Sequence, residues 1–227
     1  MFELSPEKNG TWHERVLLSF DYKDGAAPYG GLVFDSVGHL YGATEYGGTN
    51  QHGVVFAMKR GSNGAWTEYV LHNFNQATGD GFAPYDGLVI DKAGHLYGPT
   101  LYGGNGWGTV VEVGQVLGKW REKVIHSFIY GQDGINPYGP LALDASGNLY
   151  GTTWQSLVNN VGGAGIVFEL SQTSPNVWEE TILHNFVNPG DGGNPYSGVA
   201  LDSAGNVYGT TYAGGVSGSG IVFEITP

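Results

Sequence analysis

Four Asp-Gly steps recur along the chain, at Asp24-Gly25, Asp80-Gly81, Asp133-Gly134 and Asp191-Gly192, and each runs within a few residues into a Pro-Tyr pair ending at Tyr29, Tyr85, Tyr138 or Tyr196. Four carboxylates and four phenols around one axis could hold a cation, and oxygen donors of this kind suit calcium or another hard ion. The same residues have a plainer reading, in which Asp-Gly makes a tight turn and Pro-Tyr sets the start of the next strand. A second aromatic set, Tyr46, Tyr102, Trp154 and Tyr212, closes another short segment of each copy, and Trp107 has no counterpart elsewhere. Such rings stack on sugars, although a lid packed on its own loop would have the same sequence. These aromatic residues are the candidate ligand contacts, and Asp24, Asp80, Asp133 and Asp191 are the candidate cation ligands.

Catalytic signals are weaker. Asp86 and Glu45 are carboxylates without equivalents in the other copies, and such a pair could do the acid–base work of a glycosidase, but no spacing ties them together. No serine nucleophile elbow, His-Glu-x-x-His site or phosphate loop occurs. The absence of cysteine excludes disulfides, thiol catalysis and cysteine-ligated metals. His72, His126 and His184 recur at one position where the first copy has Leu18, so that position does not demand a ligand, and the three are expected too far apart for one metal. His39 and His95 alternate with Asn148 and Asn206 and read as turn residues. Asp35, Asp91, Asp144 and Asp202 open Asp-x-x-Gly turns, where the carboxylate is expected to accept backbone N–H groups. Glu14, Glu68, Glu122 and Glu180 follow a tryptophan by two residues and are expected to cap backbone or pair locally.

Acidic residues outnumber basic ones by 21 to 9, a net charge of −12, so the long-range field repels nucleic acid and anionic lipid. No apolar run approaches the roughly 18 residues of a membrane span, and no leader pattern follows Met1. The 227 residues are 41% hydrophobic, enough for a core, while 40 glycines imply many tight turns rather than long helices.

The elements that must position these residues repeat. Trp12, Trp66, Trp120 and Trp178 are 54, 54 and 58 residues apart, which divides residues 1–227 into four copies of about 56 residues within one expected domain. Each copy holds four β-like runs bounded by Gly, Pro, Asn and Asp; in the first full copy they are Gly31 to Asp35, His39 to Glu45, Gly53 to Met58 and Trp66 to Phe74. In the last of these, Trp66, Glu68, Val70, His72 and Phe74 are expected on one face and Thr67, Tyr69, Leu71 and Asn73 on the other. Apolar residues on both faces suit a sheet packed between neighbouring sheets, and no helical stripe is present. Four such units arranged radially predict an all-β, four-bladed propeller of four-stranded antiparallel blades.

Phe2-Glu3-Leu4 duplicates Phe168-Glu169-Leu170 and Phe223-Glu224-Ile225, so the sequence begins and stops part-way through a copy. The outer strand Trp12 to Phe20 is therefore expected to complete the last blade and close the ring. Phe2 to Leu4 is then left over, as a loose tail or as a strand donated to a neighbouring molecule.

The string Gly-x-Val-Phe-Glu-Leu-Ser, the Trp-x-Glu strand, Asp-Gly-x-x-Pro-Tyr, Asp-x-x-Gly-Asn-Leu-Tyr-Gly-Thr-Thr and Gly-Gly run in order through the chain, best in Phe168 to Phe186 and Pro195 to Gly215. In these motifs the sequence resembles the GloVer tandem-repeat family of bacterial secreted and cell-surface proteins. The resemblance implies an exported, repeat-built surface protein and no particular chemistry. Having four copies without a leader or anchor, the sequence reads as a short form, an excised segment or a designed one.

The resulting expectation is a non-catalytic extracellular or cell-surface binding module. Its partner would be a glycan or other surface polymer, not nucleic acid or a membrane, met by the loops from outer to inner strands and from second to third strands. Two alternatives stand: a self-assembling surface or filament subunit, hence a homo-oligomer, and a carbohydrate hydrolase or lyase using Asp or Glu on that same face.

Overall fold

The computed structural model describes residues 1–156, 158, 163–187 and 190–227. Its first element is a hairpin of β1 (Phe2–Pro6) and β2 (Trp12–Val16). A sheet of β3 (Val33–Phe34), β4 (Leu40–Thr44), β5 (Val54–Arg60) and β6 (Trp66–Asn73) follows in that order. After the short β7 (Gly81–Phe82), the second sheet contains β8 (Val89–Ile90), β9 (Leu96–Thr100), β11 (Thr109–Val116) and β12 (Lys119–Ser127), while β10 (Tyr102–Gly103) pairs with β7. The third repeats this plan with β13 (Gly134–Ile135) pairing β16 (Gln155–Ser156), and a sheet of β14 (Ala142–Leu143), β15 (Leu149–Thr153), β17 (Ile166–Ser174) and β18 (Val177–Asn185). The last sheet has β19 (Ala200–Leu201), β20 (Val207–Thr210) and β21 (Val222–Ile225). The strand ladders of the described residues are antiparallel, and a 3₁₀ turn spans Gln76–Thr78.

Both faces of the first three sheets are covered, as the apolar patterning predicts, whereas the last sheet is covered on one face. Tyr41, Val55, Ala57 and Phe74 of the first sheet bury against Leu88, Leu96, Val111 and Val113 of the second. Val110 and Phe128 of the second meet Leu149, Ile166 and Phe168 of the third, and Val167 and Phe186 of the third meet Val207 and Phe223 of the fourth. Two of the recurring tryptophans sit in these seams, Trp120 6.2 Å from Tyr41 and Trp178 5.9 Å from Tyr97, each ring reaching back to the preceding sheet, whereas Trp12 on the hairpin is exposed.

The outer strands depart from strict alternation. A one-residue register shift falls opposite Val55/Phe56, Val110/Val111 and Val167/Phe168, so Val70 is exposed while Leu71 beside it is half-buried. Trp66, Glu68 and Val70 stay on one face, opposite Arg60, Met58 and Phe56, but the bulge at Leu71 turns His72 to the other face, opposite Val55.

The expected ring closure is not what forms. β2 pairs with β1 across five residue pairs, Phe2 opposite Val16 and Leu4 opposite Glu14, and among the described residues β21 pairs with β20 alone. Phe2 to Leu4 is thus neither a loose tail nor surplus: it takes the register that Phe168 to Leu170 take against β18. The reason is proximity along the chain. A strand a short turn away closes a far smaller loop than one some two hundred residues distant, and its motif offers β2 the same partners. The hairpin then packs Met1, Leu17, Leu18 and Phe20 onto Leu40, Val54, Phe56 and Met58 of the first sheet. None of the four buried clusters among the described residues joins it to the last sheet.

Candidate functional site

In each copy the loop leading to the inner strand is tied to the loop after the second strand by a small ladder: Ala26 with Tyr46, β7 with β10, β13 with β16, and Gly193 with Ala213. Two repeated devices shape this junction. Thr44, Thr100, Thr153 and Thr211 each donate their hydroxyl to the carbonyl two residues on, at 2.8–3.0 Å, which curls the chain where the aromatic residues stand. Ala27, Ala83, Asn136 and Asn194, just before the prolines, all have φ of 54–57°, and their carbonyls accept from the N–H of Glu45, Leu101, Trp154 and Tyr212. The left-handed turn is what aims the following Pro-Tyr inward. The third copy's longer loop includes Leu157, Asn159, Asn160 and Val161, which lie outside the described residues.

The tyrosines that follow converge. Tyr29 stacks on Tyr85 at 4.9 Å and Tyr138 on Tyr196 at 4.8 Å, and Tyr85 meets Tyr138 edge-on at 5.3 Å. Trp154 extends this group, 5.5 Å from Tyr196 and 5.9 Å from Tyr212. Six of the nine candidate aromatics therefore form one contiguous platform. Tyr102 instead stacks on Phe82 at 5.3 Å, and Tyr46 keeps its hydroxyl beside Glu45. Trp107 packs on Tyr130 at 4.9 Å, the lid arrangement, and touches none of the platform rings.

Glu45 and Asp86, unconnected in sequence, both stand close enough to Tyr85 for their charges to act on it. Hydrogen bonding to Tyr196, followed by burial and these charges, holds the Tyr85 phenol above its usual value. Burial raises the Asp86 carboxyl, although it accepts the Gly87 N–H at 2.6 Å. Glu45 is buried, and its carboxylate offers acceptors at the platform edge.

The four Asp-Gly carboxylates do not gather around an axis. Asp24 accepts the N–H of Asp21, Asp80 that of Asn75, Asp133 that of Ile129 and Asp191 that of Val187, each locking its own loop. Among the described residues no group of three or more potential metal-binding side chains contains two of them. They turn instead toward the outer strands. His72, Asp80 and Glu122 form one cluster and His126, Asp133 and Glu180 another, in each of which the ligand atoms lie within 4.8 Å of one another. Each joins a histidine and an aspartate of one copy to a glutamate of the next. Reading the histidines as one set across copies missed this; the available signal was an aspartate seven or eight residues on, His72 to Asp80 and His126 to Asp133, with a glutamate in the Trp-x-Glu segment of the next copy.

On the opposite ends of the strands, Asp35, Asp91, Asp144 and Asp202 accept the backbone N–H groups two and four residues on, at 2.8–3.0 Å, as the turn motif requires. His39, His95, Asn148 and Asn206 approach the second carboxylate oxygen at 2.8–3.0 Å, so imidazole and amide nitrogens fill one position. A cleft of about 550 Å³ between two of these turns, lined by Asp144, Tyr150 and Asp202 among others, is made of the same turn residues.

The family model of the Gloeobacter/Verrucomicrobia repeat matches residues 1–223. The chain belongs to this repeat family. No curated protein matches it in sequence. In fold it is similar to a luciferin-regenerating enzyme, with a TM-score of 0.52 and 17% identity over 87% of this chain and 60% of the other. It is also similar to PorZ, a bacterial surface component of the type-IX secretion system of Porphyromonas gingivalis, with a TM-score of 0.51 and 13% identity over 86% of this chain and 25% of that one. The chain thus spans less than two thirds of either structure. At these identities the likeness is one of fold, an antiparallel all-β, propeller-like arrangement.

Proposed function

We propose that this chain is a non-catalytic extracellular binding module, a four-bladed propeller unit whose tyrosine platform takes a glycan. The observation that carries this reading is the joined pair of stacked tyrosine dimers, Tyr29 on Tyr85 and Tyr138 on Tyr196, continued by Trp154 and Tyr212. Tyr29, Tyr196 and Tyr212 are exposed, so their rings offer apolar area to the C–H faces of a pyranose. Glu45 and Asp86 would accept sugar hydroxyls, and the phenols would donate to them. Membership of the repeat family and the likeness to a secretion-system surface component support a place outside the cell. A glycan array probed with the intact chain tests the proposal. The expected result is a restricted set of hits, lost in Trp154→Ala and Tyr212→Ala; no hits, or variants that bind like the parent, would overturn it.

A second reading, self-assembly, draws on a different observation. β21 carries ladder partners on one side only, and Val222 on it is 79% exposed, which is the kind of edge another copy's strand can join. In the β17–β18 register, β2 of a second copy would set Arg15 against Glu224 and Glu14 beside the His184–Asp191 pair. Light scattering that finds only monomer at high concentration would dispose of it.

A further inference from the structure

The packed seams between sheets hold the most unusual chemistry in the molecule. In the seam between the second and third sheets, His126 Nε2 stands 3.4 Å from Asp133 Oδ2 and 3.8 Å from Glu180 Oε1. The side chains are 16%, 8% and 12% exposed. Among the described residues neither His126 Nε2 nor Glu180 Oε1 has a hydrogen-bond partner, although both are buried. In the seam between the first and second sheets, His72 Nε2 lies 2.8 Å from Asp80 Oδ2, and the other oxygen, Asp80 Oδ1, is buried without a partner, as is Glu122 Oε1.

Two carboxylates facing one another away from water are costly unless something positive lies between them. No lysine or arginine supplies it: among the described residues every ion pair is made by a histidine. Burial holds Glu122 and Glu180 well above the usual carboxylate range, with the neighbouring aspartate adding to it. A shared proton would answer for the two carboxyls but would leave the His126 nitrogen unpaired. A single ion answers for all three groups. Around a tetrahedral zinc ion with bonds of about 2.0–2.1 Å, ligand atoms stand about 3.4 Å apart; the His126 nitrogen lies 3.4 and 3.8 Å from its two oxygens, whereas His72 and Asp80, hydrogen-bonded at 2.8 Å, would have to part to admit the same ion.

We propose that His126–Asp133–Glu180 and His72–Asp80–Glu122 are divalent-metal sites of the zinc class, each clamping two neighbouring sheets together. One imidazole nitrogen and two carboxylates form a donor set suited to zinc, with a fourth position left for water. The seam between the hairpin and the first sheet supplies an internal control, since Leu18 stands where these sites have histidine beside Asp24 and Glu68. That natural leucine also shows that the fold accepts an apolar residue there.

The test uses the full chain stripped with EDTA and titrated with Zn²⁺, with bound metal counted by mass spectrometry and thermal unfolding followed in parallel. Two equivalents per chain are expected, together with a rise in Tm. His126→Leu should bind one, and His72→Leu/His126→Leu none, with the Tm rise gone. Glu180→Gln separates metal from proton: it keeps the volume and a hydrogen-bond donor toward Asp133, yet should lose one equivalent. A stripped chain that takes up no zinc, a double variant that keeps both equivalents through surface histidines such as His13, or a Glu180→Gln variant that keeps both would each overturn the proposal.

Discussion

The hydroxyl of Tyr196 donates to that of Tyr85 across 3.2 Å, although 111 residues separate them. Repeats that are second and fourth in the chain thus meet face to face at their inner edges, with the first and third stacked on them. This contact makes the four Pro-Tyr loops one surface.

Tyr85 touches Tyr29, Tyr138 and Tyr196, whereas the one aromatic partner of Tyr29 in the platform is Tyr85. Aromatic pairs contribute about 0.5–1.5 kcal/mol each beyond simple burial. Tyr85→Ala should therefore lower the free energy of unfolding by several times more than Tyr29→Ala. Chemical denaturation of both variants checks this, and equal losses would mean that the rings merely neighbour one another.

Ala83 is held at φ 57°, where an L-alanine is strained, and the third and fourth copies use asparagine at the same position. There Asn136 and Asn194 also donate their amides to the carbonyls of Leu101 and Trp154 in the preceding copy, at 3.3 and 2.9 Å. Ala83→Asn should relieve the strain and reach the Glu45 carbonyl. A gain of about 0.5–1.5 kcal/mol is expected, as for one added hydrogen bond. A Tm below that of the parent would contradict the argument.

Burial, aided by the nearby Asp24 carboxylate, pushes Glu68 up to about 7 from an ordinary 4.5. A carboxyl with a raised pKa in the folded state binds its proton more tightly there than when unfolded. Its contribution is therefore full below about pH 4.5 and is lost as pH rises through about 7. Glu68→Gln, which cannot ionise, should flatten part of that decline. Asp35 works in the opposite sense: burial raises it, but the N–H of His39, the His39 ring and the N–H of Val37 outweigh this and hold it below 3.8. Its contribution is present above that pH and disappears in stronger acid. Urea titrations at a series of pH values report both limbs, and a Glu68→Gln profile parallel to the parent's would refute the first.

Arg15 now faces Glu3 across the hairpin, and in the repeat register it would face Glu224 if β2 joined β21 of another copy. The native chain has no cysteine, so Arg15→Cys/Glu224→Cys gives an unambiguous reporter. Strand donation predicts disulfide-linked oligomers on mild oxidation of a concentrated sample. A sample that stays monomeric and free of disulfide places β2 with β1 in solution as well.

The repeat period, the all-β class and the Asp-x-x-Gly turns were legible from residue order, because each depends on local chemistry repeated in every copy. Asp35 and its equivalents accept from residues two and four positions on, so nothing distant could change that reading. The pairing of β2 was not legible, since β1 and β21 carry the same motif and only chain connectivity and packing choose between them. The fate of the Asp-Gly carboxylates was hidden for a related reason. Asp80 and Asp133 look alike as turn residues, yet what faces them is a glutamate one copy later, brought there by the stacking of one sheet on the next. Spacing along the chain determines which residues recur; only the packing of successive sheets decides which of them share a buried volume, and burial is what sets their charge and chemistry.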